Sequence, residues 1–150
     1  MMRTMIAFLF TIFSTTLWAD VDTGTDANDV ILAGYDTVAY HTEGKAVPGS
    51  EKFTAVYNDA IYQFSSAGNR DLFKGNPEKY APAYGGYCAY GATLGKKFQV
   101  DGKAFEVVDG QLYVNKNQQV YEIWRKDIPD NLSKANEQWP NIVNIAADKL

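Results

Sequence analysis

The decapeptide FEVVDGQLYV, Phe105 to Val114, restricts the fold more narrowly than any other stretch of the chain. Two runs of β-branched and aromatic residues flank Asp109-Gly110. That dipeptide accepts the positive φ angles of a two-residue turn whose twist matches the strands it joins. A β-hairpin uses all of these features at once. KFTAVYNDAIYQF places strand formers on both sides of Asn58-Asp59 and predicts a second hairpin. FQVDGKAF suggests a third strand that turns through Asp101-Gly102. VAYH, Val38 to His41, reads as a short strand running into the loop TEGKAVPGS.

Between and after the hairpins the period changes. Ser65 or Ser66 can cap a helix carrying Leu72 and Phe73, Gly75-Asn76 can end it, and Pro77 suits the first turn of the next one. If Pro77 to Tyr90 is helical, Tyr80, Tyr84 and Tyr87 share a stripe with Cys88 beside Tyr84. Gly85 and Gly86 weaken such a helix. Asn117 is a cap for a helix with Val120, Ile123 and Trp124 on one face. Pro129 opens another with Leu132, Ala135 and Trp139 inward, and Pro140 opens a last one. The expected fold is α+β: a small antiparallel sheet of hairpins covered by short helices.

The first residues stand apart from this pattern. MMRTMIAFLFTIFSTTLWAD has one basic residue, Arg3, an apolar run from Met5 to Phe13, and small residues up to Ala19, which reads as a secretory signal peptide over residues 1–19. The run is shorter than the roughly 20 apolar residues that span a bilayer, so a periplasmic or secreted chain with no membrane association after cleavage is expected. Residues 20–29, DVDTGTDAND, are polar and acidic and read as a flexible lead-in. Residues 30–150 form a single domain with a C-terminal helical extension. The 150-residue length, with 46% apolar and 21% charged residues, suits one packed core.

Cleavage after Ala19 would remove Met1, Met2 and Met5, all the methionines of the chain. One thiol, Cys88, and one imidazole, His41, then remain as soft or nitrogen donors. A lone cysteine cannot close a disulfide within its own chain. The net charge of −4 argues against nucleic acid as a partner, because phosphate binding requires clustered Lys and Arg. GKK, Gly95 to Lys97, and WRK, Trp124 to Lys126, are short enough to be solvated surface.

The segment YQFSSAGNRDLFKGNPEKYAPAYGGYCAYG resembles the YHS domain, and in particular an exported group of YHS domain-containing proteins. GYDTVAYHTEGKAVPGS, DGQLYVN and WRKDIPDNLSKANEQWP are similar to the flanks of that group, so the resemblance runs from about Gly34 to Pro140. It implies a small module whose metal-binding relatives hold an ion through cysteines. Those cysteine positions fall on Ala39, Ser65 and Asn69, and no thiol stands at any of them. A structural zinc site takes four nitrogen or sulfur ligands, so a zinc-stapled fold is not expected.

Candidate site residues follow from what is left. Cys88 reads as a small buried hydrophobe, or as a reactive thiolate if a cation or helix N-terminus lowers its pKa. His41 reads as a surface or hydrogen-bonded imidazole, or as a metal ligand. If His41 and Cys88 converge, copper(I) suits them better than zinc. Tyr84, Tyr87 and Tyr90, around the glycines, read as core or as the phenol-lined wall of a ligand pocket. No carboxylate pair, Ser-His-Asp order or phosphate-binding loop is legible, so turnover is not expected. The leading reading is an exported YHS-like module that binds a metal ion or small ligand without turnover. The alternatives are a thiol-based redox protein or sensor using Cys88, and a protein-interaction subunit.

Overall fold

The computed structural model describes residues 21–150. The signal peptide expected over residues 1–19 lies outside them. Strands β1 (Ser50–Tyr57) and β2 (Ala60–Phe64) pair antiparallel, as do β3 (Asp101–Val108) and β4 (Gln111–Asn115). The turn residues Asn58, Asp59, Asp109 and Gly110 have φ of 48°, 57°, 50° and 79°, the positive values a type I′ turn requires. Both expected hairpins form. They remain two separate two-stranded sheets, and an isolated hairpin is marginal in water, so each depends on what packs against it.

The helices are short and capped by side chains. They are α1 (Thr37–Thr42), α2 (Ala67–Gly75), α3 (Pro77–Tyr80), α4 (Ala89–Thr93), α5 (Gln118–Trp124) and α6 (Ile128–Ile142). Ser66 caps α2, Asn76 caps α3 and Asn117 caps α5, each accepting from a backbone N–H three residues on. With the two hairpins this makes an α+β fold. Alternate residues of β2 (Ala60, Tyr62, Phe64) and of β4 (Leu112, Val114) point inward. They meet Tyr40 and Phe73 in one core, while Trp124 centres a second with Tyr84, Ala89, Ala92 and Ala135. Fully burying a side chain the size of Phe73 contributes about 2–3 kcal/mol.

Four local expectations are corrected. Val38 to His41 is helical, because Asp36 accepts hydrogen bonds from the Val38 and Ala39 amides and starts α1. Asp101-Gly102 is no turn but lies within β3, just before an irregularity that separates the Asp101 and Phe105 pairings. Pro140 lies inside α6, two residues before its end, so it opens no new helix. No continuous helix runs from Pro77 to Tyr90: α3 stops at Tyr80, and Tyr84, Gly85 and Gly86 all take left-handed φ of 56°, 60° and 82°.

That left-handed turn exists to receive the N-terminal segment. The Gly24 amide donates to the Gly85 carbonyl at 2.8 Å and the Asp22 amide to the Val143 carbonyl at 3.0 Å. A Cβ on Gly85 would stand 2.7 Å from the Asp22 carbonyl oxygen, so side chains are excluded there by contact as well as by φ. Residues 22–24, expected as a flexible lead-in, are thus built into the fold. Lys97, expected on the surface, completes the junction with a side chain that is 0% exposed. Its ammonium donates to the Asp22 carboxylate (3.0 Å) and to the Val143 and Ile145 carbonyls (3.3 and 2.6 Å). It also lies 5.2 Å from the ring centroids of both Tyr87 and Trp139. No helix among the described residues is long and apolar enough to cross a membrane.

Removing one partner of a buried ion pair leaves the other charge without compensation, at a cost of about 3–5 kcal/mol. Asp22 is partly open to solvent, so Asp22→Ala is expected to lose about 3 kcal/mol in urea unfolding. Adding Lys97→Met should recover most of that loss. Unchanged midpoints in both variants would contradict the junction described.

Candidate functional site

Asp36 is fully buried and takes five hydrogen bonds. Its Oδ1 accepts from the amides of Val38 and Ala39 at 3.0 and 3.2 Å. Its Oδ2 accepts from the Ser65 amide (2.8 Å), the Ser65 hydroxyl (2.6 Å) and the Asn69 side-chain amide (2.8 Å). The Asn69 amide also reaches the Ser65 hydroxyl at 3.4 Å. One carboxylate therefore ties the start of α1, the end of β2 and the first turn of α2. No cation among the described residues takes part. Five neutral donors spread along both oxygens solvate the charge in place of water.

The two metal candidates have different surroundings. His41, in the last turn of α1, stands edge-on to Tyr80 with ring centroids 5.4 Å apart, and its buried Nε2 has no partner among the described residues. Burial, and secondarily the Lys79 charge, pushes the imidazole pKa below its ordinary value. Folding thus disfavours imidazolium, and the stability this group supports is complete above the unfolded pKa near 6.5 and lost as pH falls below it. Cys88 is 1% exposed and caps α4. Its sulfur accepts from the Gly91 and Lys116 amides at 3.4 and 3.3 Å, and the thiol donates to Asn115 Oδ1 at 3.6 Å. Asn115 Oδ1 also receives the Tyr90 amide at 3.1 Å. Among the described residues His41 and Cys88 share no hydrogen-bond partner. Among the described residues no three His, Cys, Asp or Glu side chains gather so as to hold a metal ion.

The three tyrosines are occupied by packing. Tyr84 donates to Asn136 Oδ1 at 3.0 Å, and its ring meets Trp139 and Tyr113 at 5.7 and 5.9 Å. A bulky residue at positive φ is disfavoured by about 1–3 kcal/mol, and these contacts hold it there. Tyr87 donates to the Asp22 carboxylate at 2.8 Å and to the Thr23 carbonyl at 3.1 Å. Burial raises both phenol pKa values well above the ordinary range, helped by Tyr113 at Tyr84 and by the Asp22 hydrogen bond at Tyr87. Tyr90 is half-buried against the Trp124 cluster. None of the three lines the cleft that lies beside them.

That cleft, about 230 Å³, opens where the two hairpins, α3, the left-handed turn and α6 meet. Tyr57, Tyr62 and Trp139 supply aromatic walls, and Glu78 and Gln111 polar ones. Tyr62 is 3% exposed. A larger hollow of about 550 Å³ lies over the outer side of β1 and β2, but Asp26, Asn28, Ala33, Glu51 and Thr54 of its lining are exposed residues, so it is a surface depression. The smaller cleft is as open as the larger hollow, but it is walled mainly by buried and half-buried residues.

The model of the YHS domain family matches residues 38–84. The chain contains a YHS domain. The match spans α1 to the left-handed turn, under a third of the chain and less than the range from Gly34 to Pro140 over which the sequence resembles the exported group. No curated protein and no solved structure matches the chain. Within the YHS domain, Ser65 and Asn69 stand where the resemblance places metal-binding cysteines, and both donate to Asp36. The third such position, Ala39, contributes its amide to the same carboxylate. Asp36 was missed as a site residue. Its signal was an Asp immediately before a turn of helix, hidden because Val38 to His41 favours strand.

Two consequences are measurable. Asp36→Asn places an amide N–H against donors, and each unsatisfied buried donor costs about 1–3 kcal/mol, so a loss of about 2–4 kcal/mol is expected in urea unfolding. A loss below about 1 kcal/mol, the worth of a single ordinary hydrogen bond, would contradict the hub. For Cys88, labelling by a bulky thiol reagent in native buffer should be slow and become fast in denaturant. Fast native labelling would restore the reactive-thiol reading.

Proposed function

We propose that this chain is a non-catalytic binding module, exported to the periplasm or beyond, that holds a small ligand in the cleft between its hairpins instead of a metal ion in its YHS domain. The observation that carries this reading is the cleft itself. Segments distant in sequence wall it, from the β1–β2 turn to α6, and the N-terminal segment borders it through Val21 and Thr23. Binding sites favour such junctions, where polar groups from several elements converge on a partly apolar hollow.

The metal form of the reading has less support. The side chains at Ser65 and Asn69 already spend their donors on Asp36, and an ion there would have to displace a satisfied network. Hard cations would also compete with five neutral donors for the carboxylate. The redox reading has less support too, since Cys88 is buried and serves as a helix cap. Export rests on the leader-like first nineteen residues.

The test uses the full-length chain expressed in a bacterial host. Processed protein should be recovered from the periplasmic fraction, with well under one equivalent of copper or zinc after dialysis against either metal. A small-fragment screen by two-dimensional NMR should move resonances of Gly85, Gln111 and the Trp139 indole. Stoichiometric metal that survives a chelator wash, or fragments that bind only elsewhere, would overturn the proposal.

A further inference from the structure

We infer that the cleft selects a small organic cation with an apolar body, such as an aralkyl amine, with Glu78 as its counter-charge and Tyr57, Tyr62 and Trp139 as its walls. This rests on the cleft being the binding site.

Among the described residues Glu78 is the one side chain of formal charge on the cleft wall, and no Lys, Arg or His lines it. Glu78 is engaged in none of the five ion pairs formed among the described residues. The nearest buried ammonium, Lys97, lies 5.2 Å from the Trp139 ring but is already matched by Asp22 and two carbonyls. Among the described residues an anion entering the cleft would therefore meet a carboxylate and no free cation, whereas an ammonium would meet its complement.

Aromatic faces attract cations through their quadrupoles, Trp most strongly, and the attraction rises as the site is desolvated. Tyr57 and Tyr62 stand edge to face with centroids 6.4 Å apart, and Trp139 lines the same hollow. The fold has built one such site for itself, since Lys97 sits between Tyr87 and Trp139. Tyr62 adds a polar contact. It is buried, and its phenol, kept protonated by desolvation, makes no side-chain hydrogen bond among the described residues. Gln111 donates through Nε2 to the Ala81 carbonyl, which turns its Oε1 into an available acceptor.

A hollow of about 230 Å³ lies below the ~300–1,000 Å³ of sites for drug-sized ligands, so it suits a small molecule such as one ring with a short amine arm.

Three probes of one shape separate the outcomes: phenethylamine, phenethyl alcohol and hydrocinnamate, each titrated into the folded chain to about 10 mM and followed by NMR at Gly85, Gln111 and the Trp139 indole. Phenethylamine should bind about 10-fold tighter than the alcohol, and hydrocinnamate weakest of the three. Glu78 is exposed, so Glu78→Gln should fold normally, and it should erase the preference for the amine over the alcohol. If alcohol or carboxylate binds as well as the amine, the cation class is wrong and the cleft stands as a neutral site. If none of the probes moves these resonances, the cleft reading falls, and this inference with it.

Discussion

The Asp36 carboxylate is the constraint on which the YHS portion of this fold depends. The segments it joins lie far apart in sequence: Ser65 is 29 residues from Asp36 and Asn69 is 33. None of them has enough structure of its own to hold position. α1 has six residues, β1 and β2 form a lone hairpin, and α2 has nine residues. Helices this short are marginal alone, as are two-stranded hairpins. A buried charge is costly unless every lone pair is met, and here five donors meet it from three elements. Because leaving any of them out exposes the full cost, the elements must assemble together. A metal ion held by cysteines at the same positions would impose the same requirement through coordination.

A second tie does similar work at the other side of the molecule. Lys97 is buried by Asp22, two carbonyls near the C-terminal end of α6 and two aromatic rings, so the N-terminal segment, the loop before β3 and α6 are fixed to one point. The left-handed turn at Tyr84 to Gly86 makes room for that junction by presenting the Gly85 carbonyl to Gly24. The cleft is what remains between the two tied regions. Its walls are set by elements that are each fixed elsewhere, which is the condition for a hollow to persist without its occupant.

Legibility in the sequence followed the range of the interaction. Both hairpins were readable because Asn58-Asp59 and Asp109-Gly110 carry their geometry in two residues. The caps at Ser66, one of two serines that fit, and Asn117 were readable because each acts over three residues, whereas Asn76 read only as the end of α2 and also caps α3. α1 was not, since Val, Ala and Tyr in succession fit a strand locally and only the bond network of Asp36 makes them helical. The tyrosines near Cys88 fell on a helical stripe by spacing alone, while the actual backbone there turns left-handed against the N-terminal segment. Lys97 passed for a surface lysine because its carboxylate partner is 75 residues away. At the site, the resemblance located Ser65 and Asn69 as positions without their thiols, but not the carboxylate that engages them.

Native-state hydrogen exchange in a strong chelator tests this dependence most directly, at the amides of Val38, Ala39 and Ser65. All three donate to one carboxylate, so they should open only with global unfolding and report the same free energy as the inner β2 and β4 amides. Exchange of the three by local opening, while the hairpins stay protected, would contradict the central role given to Asp36.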